Sequence, residues 1–531
     1  MVLAFLVILF TSSVGTRLSL DARPCLRRIG AGGRLAAVVT GPAWSSSGSR
    51  TYAGRFPLSV ERFTMNVVDR LVPGVTTVTL NARYYALHGL IAAEAQRRGL
   101  ARSAAQSLLR RAEVVVGAVS ARHYRGSGSG HEALSRPHGY DEILRRASDG
   151  GVDVGELAAP GVYAKPNWGF WPAYRGSEVL LRIVTRADDI GPGDQMNAGA
   201  VAQGLGDVLD LVNRRTLDDA TLDAYESLCV CHSATSADGA WLARLFAASE
   251  AETPATRAGV RRQTLRMIAR VIQLTEVRRV TRDVSRFLAY EPEAMSDPVL
   301  SALELSDEWR GLILRNYSVT AWRSLWAWLV NGIQGITPRA ELAAHLADLL
   351  PDSTVGAFRD GLPRTMDSVG QPAPAERDPG LMGLKTPVRD LSVLALGGRR
   401  VRELTGRQLH GFEGHETQDR YEELAPRWLA DQLDRWHDRP LRDFARWLTD
   451  TMVDRSQRLA LAKARLDPRK GVLKIPTRVH LRDDLLFRDS DETAGSASLR
   501  WDQLAGILAG MGLLARTDEV WEIGGRGDLI A

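Results

Sequence analysis

Three groups of side chains in this chain have types and spacings suited to chemistry, and each suits a different kind. Cys229, Cys231 and His232 stand together in SLCVCHS, and thiolate and imidazole are the donors of zinc sites. Zinc asks for four donors, and no second ligand pair stands at a helpful distance along the sequence. The two thiols therefore read as small buried side chains on a helix, and no metal or other cofactor is expected. The run HGFEGHETQDRYEE gathers His410, Glu413, His415, Glu416 and Asp419, donors that suit a divalent cation. Their spacing matches no familiar ligand set, and charged residues collect around Gly-containing interhelix loops without any metal.

The third group is basic. Residues 451–482 hold nine Lys or Arg against two acidic residues. Arg455, Arg458, Lys463 and Arg465 fall on a predicted helix. Arg469, Lys470, Lys474, Arg478 and Arg482 continue into a predicted pair of strands. Arg500, Trp501 and Gln503 then open a helix that runs from Leu499 to Leu514, with an apolar hairpin over Ala515–Ile523 behind it. A basic run followed by a helix and a β-wing suits DNA, with phosphates held by the cations and base edges read from the helix. The alternative is a solvated face neutralised by the acidic segments 417–423 and 431–443.

Enzyme signatures are missing from the sequence. It has no Gly-x4-Gly-Lys-Ser/Thr phosphate loop, no Gly-x-Ser-x-Gly elbow and no His-Glu-x-x-His pair. GAGG at 30–33 lacks the strand and helix that a dinucleotide site needs.

The elements that must position these groups are overwhelmingly helical. Apolar residues recur at three-to-four spacing in 58–72, 77–98, 103–122, 139–147, in most of 199–350, and in 387–405, 418–436 and 439–465. RAGVRRQTLRMIARVIQLTEVRRVTRDVSRFLAY reads as one long helix, and Trp322 and Trp326, four apart, face one core. Trp168, Phe170, Trp171 and Tyr174 crowd a Gly/Pro-rich connection. They read as a plug onto the core, because only Arg175 interleaves them. The expected fold is a mainly α, multi-domain helical protein with a small α+β winged-helix-like C-terminal module. Its expected parts are a leader (1–54), an N-terminal helical domain (55–150), an aromatic loop with a central helical domain (151–363), a Pro-rich linker (364–386) and a C-terminal region (387–531).

Bulk composition agrees with a globular chain. It is 44% hydrophobic and 25% charged, and 68 basic against 63 acidic residues leave a net charge of +5. Such a balance excludes an overall nucleic-acid coat and leaves room only for local patches. Three cysteines in 531 residues exclude a disulfide scaffold, which points to a reducing cytoplasm. The nine apolar residues VLAFLVILF fall far short of the ~20 that a membrane helix requires, and no basic residue precedes them as in a secretory signal.

The segment PGVTTVTLNARYYALHGLIAAEAQRRG, followed by LLRRAEVVV, resembles a group of functionally uncharacterised bacterial proteins, often encoded near restriction and antiphage-defence genes. In that group a Pro-Gly-x-Ser/Thr-Thr turn leads into an Ala-Arg-Tyr-Tyr/Phe helix. Pro73, Gly74, Thr76, Thr77, Ala82, Arg83, Tyr84 and Tyr85 carry the likeness, which covers about fifty residues. It implies a defence context and transfers no catalytic residue. On the residues themselves, Arg83 beside two tyrosines reads as a clamp on the preceding turn.

The function expected is that of a cytoplasmic, non-enzymatic DNA-binding component of a defence or DNA-processing system, with DNA and same-operon proteins as partners and no membrane. The alternatives are a metal-dependent hydrolase or nuclease subunit, for which His410, His415 and Glu416 are the candidates, and a structural adaptor of a larger complex. Because regular patterning begins only near Pro57, a chain beginning at Arg55 is expected to stay helical with an unchanged Tm. Thermal melting followed by circular dichroism checks this, and loss of folding would mean that the leader packs into the core.

Overall fold

The computed structural model describes residues 56–126, 131, 133–147, 151–186, 189–415, 417–467 and 472–531, with the backbone alone at 417–418, 467 and 472–474. The described residues are mainly helical, with four small antiparallel sheets. They fall within one compact unit, 50–531. No helix among them is long and apolar enough to cross a membrane.

The longest element among the described residues is the 29-residue helix Glu304–Gly332, about 44 Å from end to end. Apolar residues ring it on every side, and a helix of that kind must be enclosed by others. Its first half, Leu305 to Leu314, belongs to one core, and its second half, Val319 to Val330, to another. Trp322 and Trp326 both sit in the second core, as their spacing predicts. The helix Gly406–Glu413 packs against its first half backbone to backbone. A Cβ on Gly311 would lie 1.9 Å from the Gln408 carbonyl, and one on Gly411 would lie 2.1 Å from the Glu308 carbonyl. Only glycine allows that approach.

The first core is built on helices Arg62–Leu71, Arg83–Arg97 and Arg102–Gly126, together with Ala237–Ala247, Arg257–Leu274 and Val280–Tyr290. Trp168, Trp171 and Tyr174 are buried within it, so the aromatic cluster is a plug, as the sequence suggests. The second core is formed by helices Arg339–Ala347, Thr386–Glu403, Pro426–Arg435 and Leu441–Ala462.

Two helices are shorter than periodicity predicts. The segment read as continuous from 257 to 290 breaks after Leu274, because Thr275 turns extended and Val277 pairs with Trp521 instead. The Trp521 N–H donates to the Val277 carbonyl at 2.8 Å. The predicted helix 418–436 divides into Thr417–Tyr421 and Pro426–Arg435, with Pro426 at the first helical position, where its missing N–H costs nothing. The Pro-rich segment 364–386 is tied firmly to helix Thr386–Glu403. Buried Arg400 donates to the Thr365 and Ala373 carbonyls (3.1 and 2.9 Å) and pairs with buried Glu376 at 2.7 Å.

The nine strands among the described residues are short. β1 (Val152–Asp153) pairs with β2 (Thr216–Leu217). β3 (Thr337–Pro338) lies along β7 (Leu485–Arg488), whose other edge holds β6 (Val479–Arg482). β4 (Arg465–Asp467) and β5 (Val472–Lys474) form a two-stranded ribbon directly after helix Leu441–Ala462. β8 (Leu514–Thr517) and β9 (Val520–Ile523) make the last hairpin. The turn of that hairpin holds Asp518 and Glu519, both at positive φ.

The helix Trp501–Gly510, ahead of this hairpin, is a core element. Trp501 and every residue from Leu504 to Gly510 are buried. Exposed Asp502 accepts hydrogen bonds from the Thr281 N–H and hydroxyl (3.1 and 2.8 Å). The Trp501 ring lies 4.7 Å from the Trp309 ring. Trp501→Ala is therefore expected to destabilise the protein by about 3–5 kcal/mol, the usual loss for a buried indole. Denaturant unfolding checks this, and a change of only about 0.5 kcal/mol or less would return this helix to the surface.

Candidate metal centre and nucleic-acid surface

The segment ARYYALHG opens the helix Arg83–Arg97, and its polar side chains Arg83 and His88 are buried. Arg83, 1% exposed, pairs with buried Asp238 at 3.3 Å. Its guanidinium also donates to the carbonyls of Ser227 and Cys229, both at 2.5 Å, and of Gly204 at 2.8 Å. The clamp on the preceding turn is instead Tyr85, whose hydroxyl donates to the Gly74 carbonyl at 2.7 Å. Arg83 is the clamp of a different turn, the one that carries the cysteines.

One and a half turns further on, His88 lies between two buried carboxylates. Its Nδ1 is 2.6 Å from Glu178 and its Nε2 is 2.9 Å from Glu113. The remaining oxygens are also taken: Trp171 Nε1 donates to Glu178 at 2.9 Å, and Tyr163 and the Phe170 N–H (2.9 Å) donate to Glu113. Gly169, at φ +58°, makes that approach possible, since a Cβ there would fall 2.0 Å from Glu113. Burial alone would lower the His88 pKa. The charge on Glu178 and the hydrogen bonds to both carboxylates outweigh it and raise the pKa to about 9. Burial pushes both carboxyls upward as well. No group in this triad is more than 1% exposed, so it meets no substrate. It holds a proton inside the fold.

The turn that Arg83 grips runs between two short 3₁₀ segments, Glu226–Leu228 and Val230–Ala234. It presents Cys229 and Cys231, with Sγ atoms 3.3 Å apart. Opposite them stand His123, from the last turn of helix Arg102–Gly126, and His131. Cys231 Sγ lies 3.4 Å from His123 Nδ1, and Cys229 Sγ lies 3.5 Å from His131 Nε2. One ligand atom from each of the four lies within 4.8 Å of the other three. The hydrogen bond from Cys231 pulls the Cys229 thiol down to about 4, and the same bond pushes Cys231 up. Sequence reasoning found the cysteines and missed the histidines, which lie about a hundred residues upstream and join them only in the fold. His232, the neighbour read with the cysteines, has its ring 5.3 Å from that of His123, tilted by 42°, and is not one of the four.

The residues expected at DNA are dispersed. Arg455 is buried, donating to the Leu58 carbonyl at 2.6 Å and pairing with Glu422 at 2.8 Å. Arg458 pairs with Glu423, and the Lys463 ammonium donates to the Phe56 carbonyl at 3.0 Å. Arg478 is held by the Asp491 carbonyl and lies 3.8 Å from Glu492. Arg500 pairs with Asp69 and donates to the Val75 carbonyl at 2.8 Å. Trp501 is buried, and a side chain packed on Trp309 cannot stack on a base or read one. Gln503 is half-buried beside it. Arg482, at the end of β6, is exposed and lies 3.7 Å from Asp483. Arg465 is exposed on β4, and its Cα partner across the ribbon is Lys474. Arg469 and Lys470 lie outside the described residues.

The HGFEGHE segment brings the His410 and His415 rings within 3.9 Å of each other. Its carboxylate is already engaged: Glu413 takes two bonds of 2.8 Å from Arg427 and an approach of 3.5 Å from Arg420. Glu416 lies outside the described residues. No protein family, curated protein or solved structure matches the chain.

The His88 triad has a consequence for stability against pH. A pKa raised from 6.5 to about 9 means that the folded state binds the proton more tightly. Its contribution is full below about pH 6.5 and is lost as pH rises through about 9, up to about 3 kcal/mol. Tm is expected to fall across that window in the native chain and to fall less steeply in His88→Gln. Equal slopes in the two proteins would show that the triad does not hold this proton.

Proposed function

We propose that this chain is a non-enzymatic nucleic-acid-binding protein whose phosphate-binding element is the β4–β5 ribbon, working within a bacterial defence or DNA-processing system. The observation that carries the reading is the contrast between this ribbon and the rest of the basic run. Arg455, Arg458, Lys463, Arg478 and Arg500 are engaged by carboxylates or carbonyls and exposed Arg482 lies 3.7 Å from Asp483, whereas the ribbon bears exposed Arg465 in register with Lys474 and a 63% exposed Leu466. A twisted two-stranded ribbon fits a nucleic-acid groove, and its cations would neutralise phosphates with little sequence preference. The order of helix Trp501–Gly510 and hairpin β8–β9 supports a winged-helix-like reading of the end of the chain. In this proposal that helix serves as the wing's support, because its Trp is buried. The genomic context rests alone on the resemblance carried by Pro73, Gly74, Thr76, Thr77 and Ala82–Tyr85.

The test is a salt titration of the full chain with duplex and single-stranded DNA. Binding is expected at low salt, and Arg465→Glu combined with Lys474→Glu should weaken it for every sequence. The slope of log affinity against log salt should flatten by about one for each phosphate that the variant no longer neutralises. A full chain that binds neither probe at low salt, or a variant that binds like the native chain, overturns the reading.

A further inference from the structure

We infer that His123, His131, Cys229 and Cys231 bind a structural zinc ion. This does not depend on whether the protein binds nucleic acid. Two thiols and two imidazoles form a donor set that prefers zinc over the hard cations, and four protein ligands fill a tetrahedral shell. Zinc–sulfur bonds of about 2.3 Å and zinc–nitrogen bonds of about 2.0 Å at tetrahedral angles put neighbouring donors roughly 3.3–3.8 Å apart. The two sulfur–nitrogen separations, 3.4 and 3.5 Å, match the roughly 3.5 Å that zinc sets between a thiolate and an imidazole, and the two sulfurs, 3.3 Å apart, would open by about half an ångström to the roughly 3.8 Å of a bound pair.

Thiol-to-imidazole hydrogen bonds alone would account for two of those approaches. They would require only two separate pairs, Cys231 with His123 and Cys229 with His131. Here the pairs converge, with all four donor atoms mutually within 4.8 Å. Side chains from three places in the sequence meet at one point, as a central cation demands.

The surroundings hold the ligands as metal sites require. Arg83 fixes the Cys229 carbonyl at 2.5 Å, and the Val230 N–H donates to the Ser120 hydroxyl at 3.1 Å. The Tyr124 ring stacks on His131 at a centroid distance of 3.5 Å and a tilt of 20°. A cavity of about 540 Å³, bordered by Cys231, Thr235 and Arg526, gives the ion a way in. A shell closed by four protein donors leaves no position for substrate or water, so the ion is structural. It would fasten the end of helix Arg102–Gly126 and His131 to the turn at 226–234. On and just beyond that turn Arg526 anchors the chain's last residues through the Ser233 and Ser236 carbonyls (3.3 and 2.9 Å).

The experiment measures metal in the full chain, purified without a metal-chelating tag from zinc-supplemented cells. About one zinc per chain is expected. The chain produced with cobalt should show a thiolate-to-cobalt charge-transfer band and the strong visible bands of tetrahedral cobalt. Cys229→Ser combined with Cys231→Ser should lose both the metal and the bands. Chelation should lower the Tm of the native chain. A folded native chain with less than about a tenth of a zinc and no thiolate band overturns the inference, and that measurement stands even if the double variant does not fold. Full metal content in the double variant overturns it too, since the ion would then sit elsewhere. Zinc that leaves on chelation without changing Tm overturns its structural role.

Discussion

Buried charge on helix Arg83–Arg97 is the constraint on which the rest of the first core depends. Arg83 and His88 carry cationic groups into an interior where an unpaired charge is untenable, so carboxylates must come to meet them. Asp238, Glu113 and Glu178 arrive from three different helices, and each helix is thereby fixed in register against the first. Hydrophobic packing would allow these helices to slide by a fraction of a turn. A guanidinium with four partners and an imidazole between two carboxylates do not. Removing one partner of such a pair costs about 3–5 kcal/mol, because the other is left buried and alone.

The same requirement explains why so many arginines leave so little free positive charge. The guanidinium is planar and offers five donors in a rigid fork, which suits carbonyls at helix and loop ends. Arg110 donates to the carbonyls of Ala158 and Asn167, Arg261 to those of Leu245 and Phe246, and Arg310 to that of Leu288. Arg400 and Arg455 do the same in the second core. These buried arginines act as internal cement. A run of basic residues must therefore be judged by where each one ends up: Arg455 is buried, whereas Arg458, Lys463, Arg465 and Arg482 are exposed.

Arg83 also links the two polar centres. The helix that holds the His88 triad reaches, through its first residue, the backbone of Cys229. The thiol–imidazole cluster is thus backed by a rigid element, and a closed ligand shell needs such backing if it is to keep its geometry. The cluster in turn lies under the chain's last residues through Ser233 and Arg526. N-terminal and C-terminal parts of the described chain meet there.

Periodicity in the sequence determined the helical class, the helix positions between Arg62 and Gly126, the burial of Trp322 and Trp326, and the hairpin at 514–523, because amphipathic spacing is a local property. Local pattern also located Cys229 and Cys231, and it placed the aromatic plug correctly because only one cation, Arg175, interleaves it. It could not say that Val277 leaves its helix to pair with Trp521, since that choice depends on a strand about 240 residues away. Nor could it tell that the helix after Arg500 is enclosed, since an apolar run looks alike at a groove and in a core. The fates of Arg455 and Arg500 were invisible for the same reason: their partners, Leu58, Glu422, Asp69 and Val75, are distant in the chain. The pairing of His123 and His131 with the two cysteines was decided by tertiary structure alone. Metal ligation depends on distances of a few ångströms in space, and spacing along a chain reports them only when the ligands share one local element.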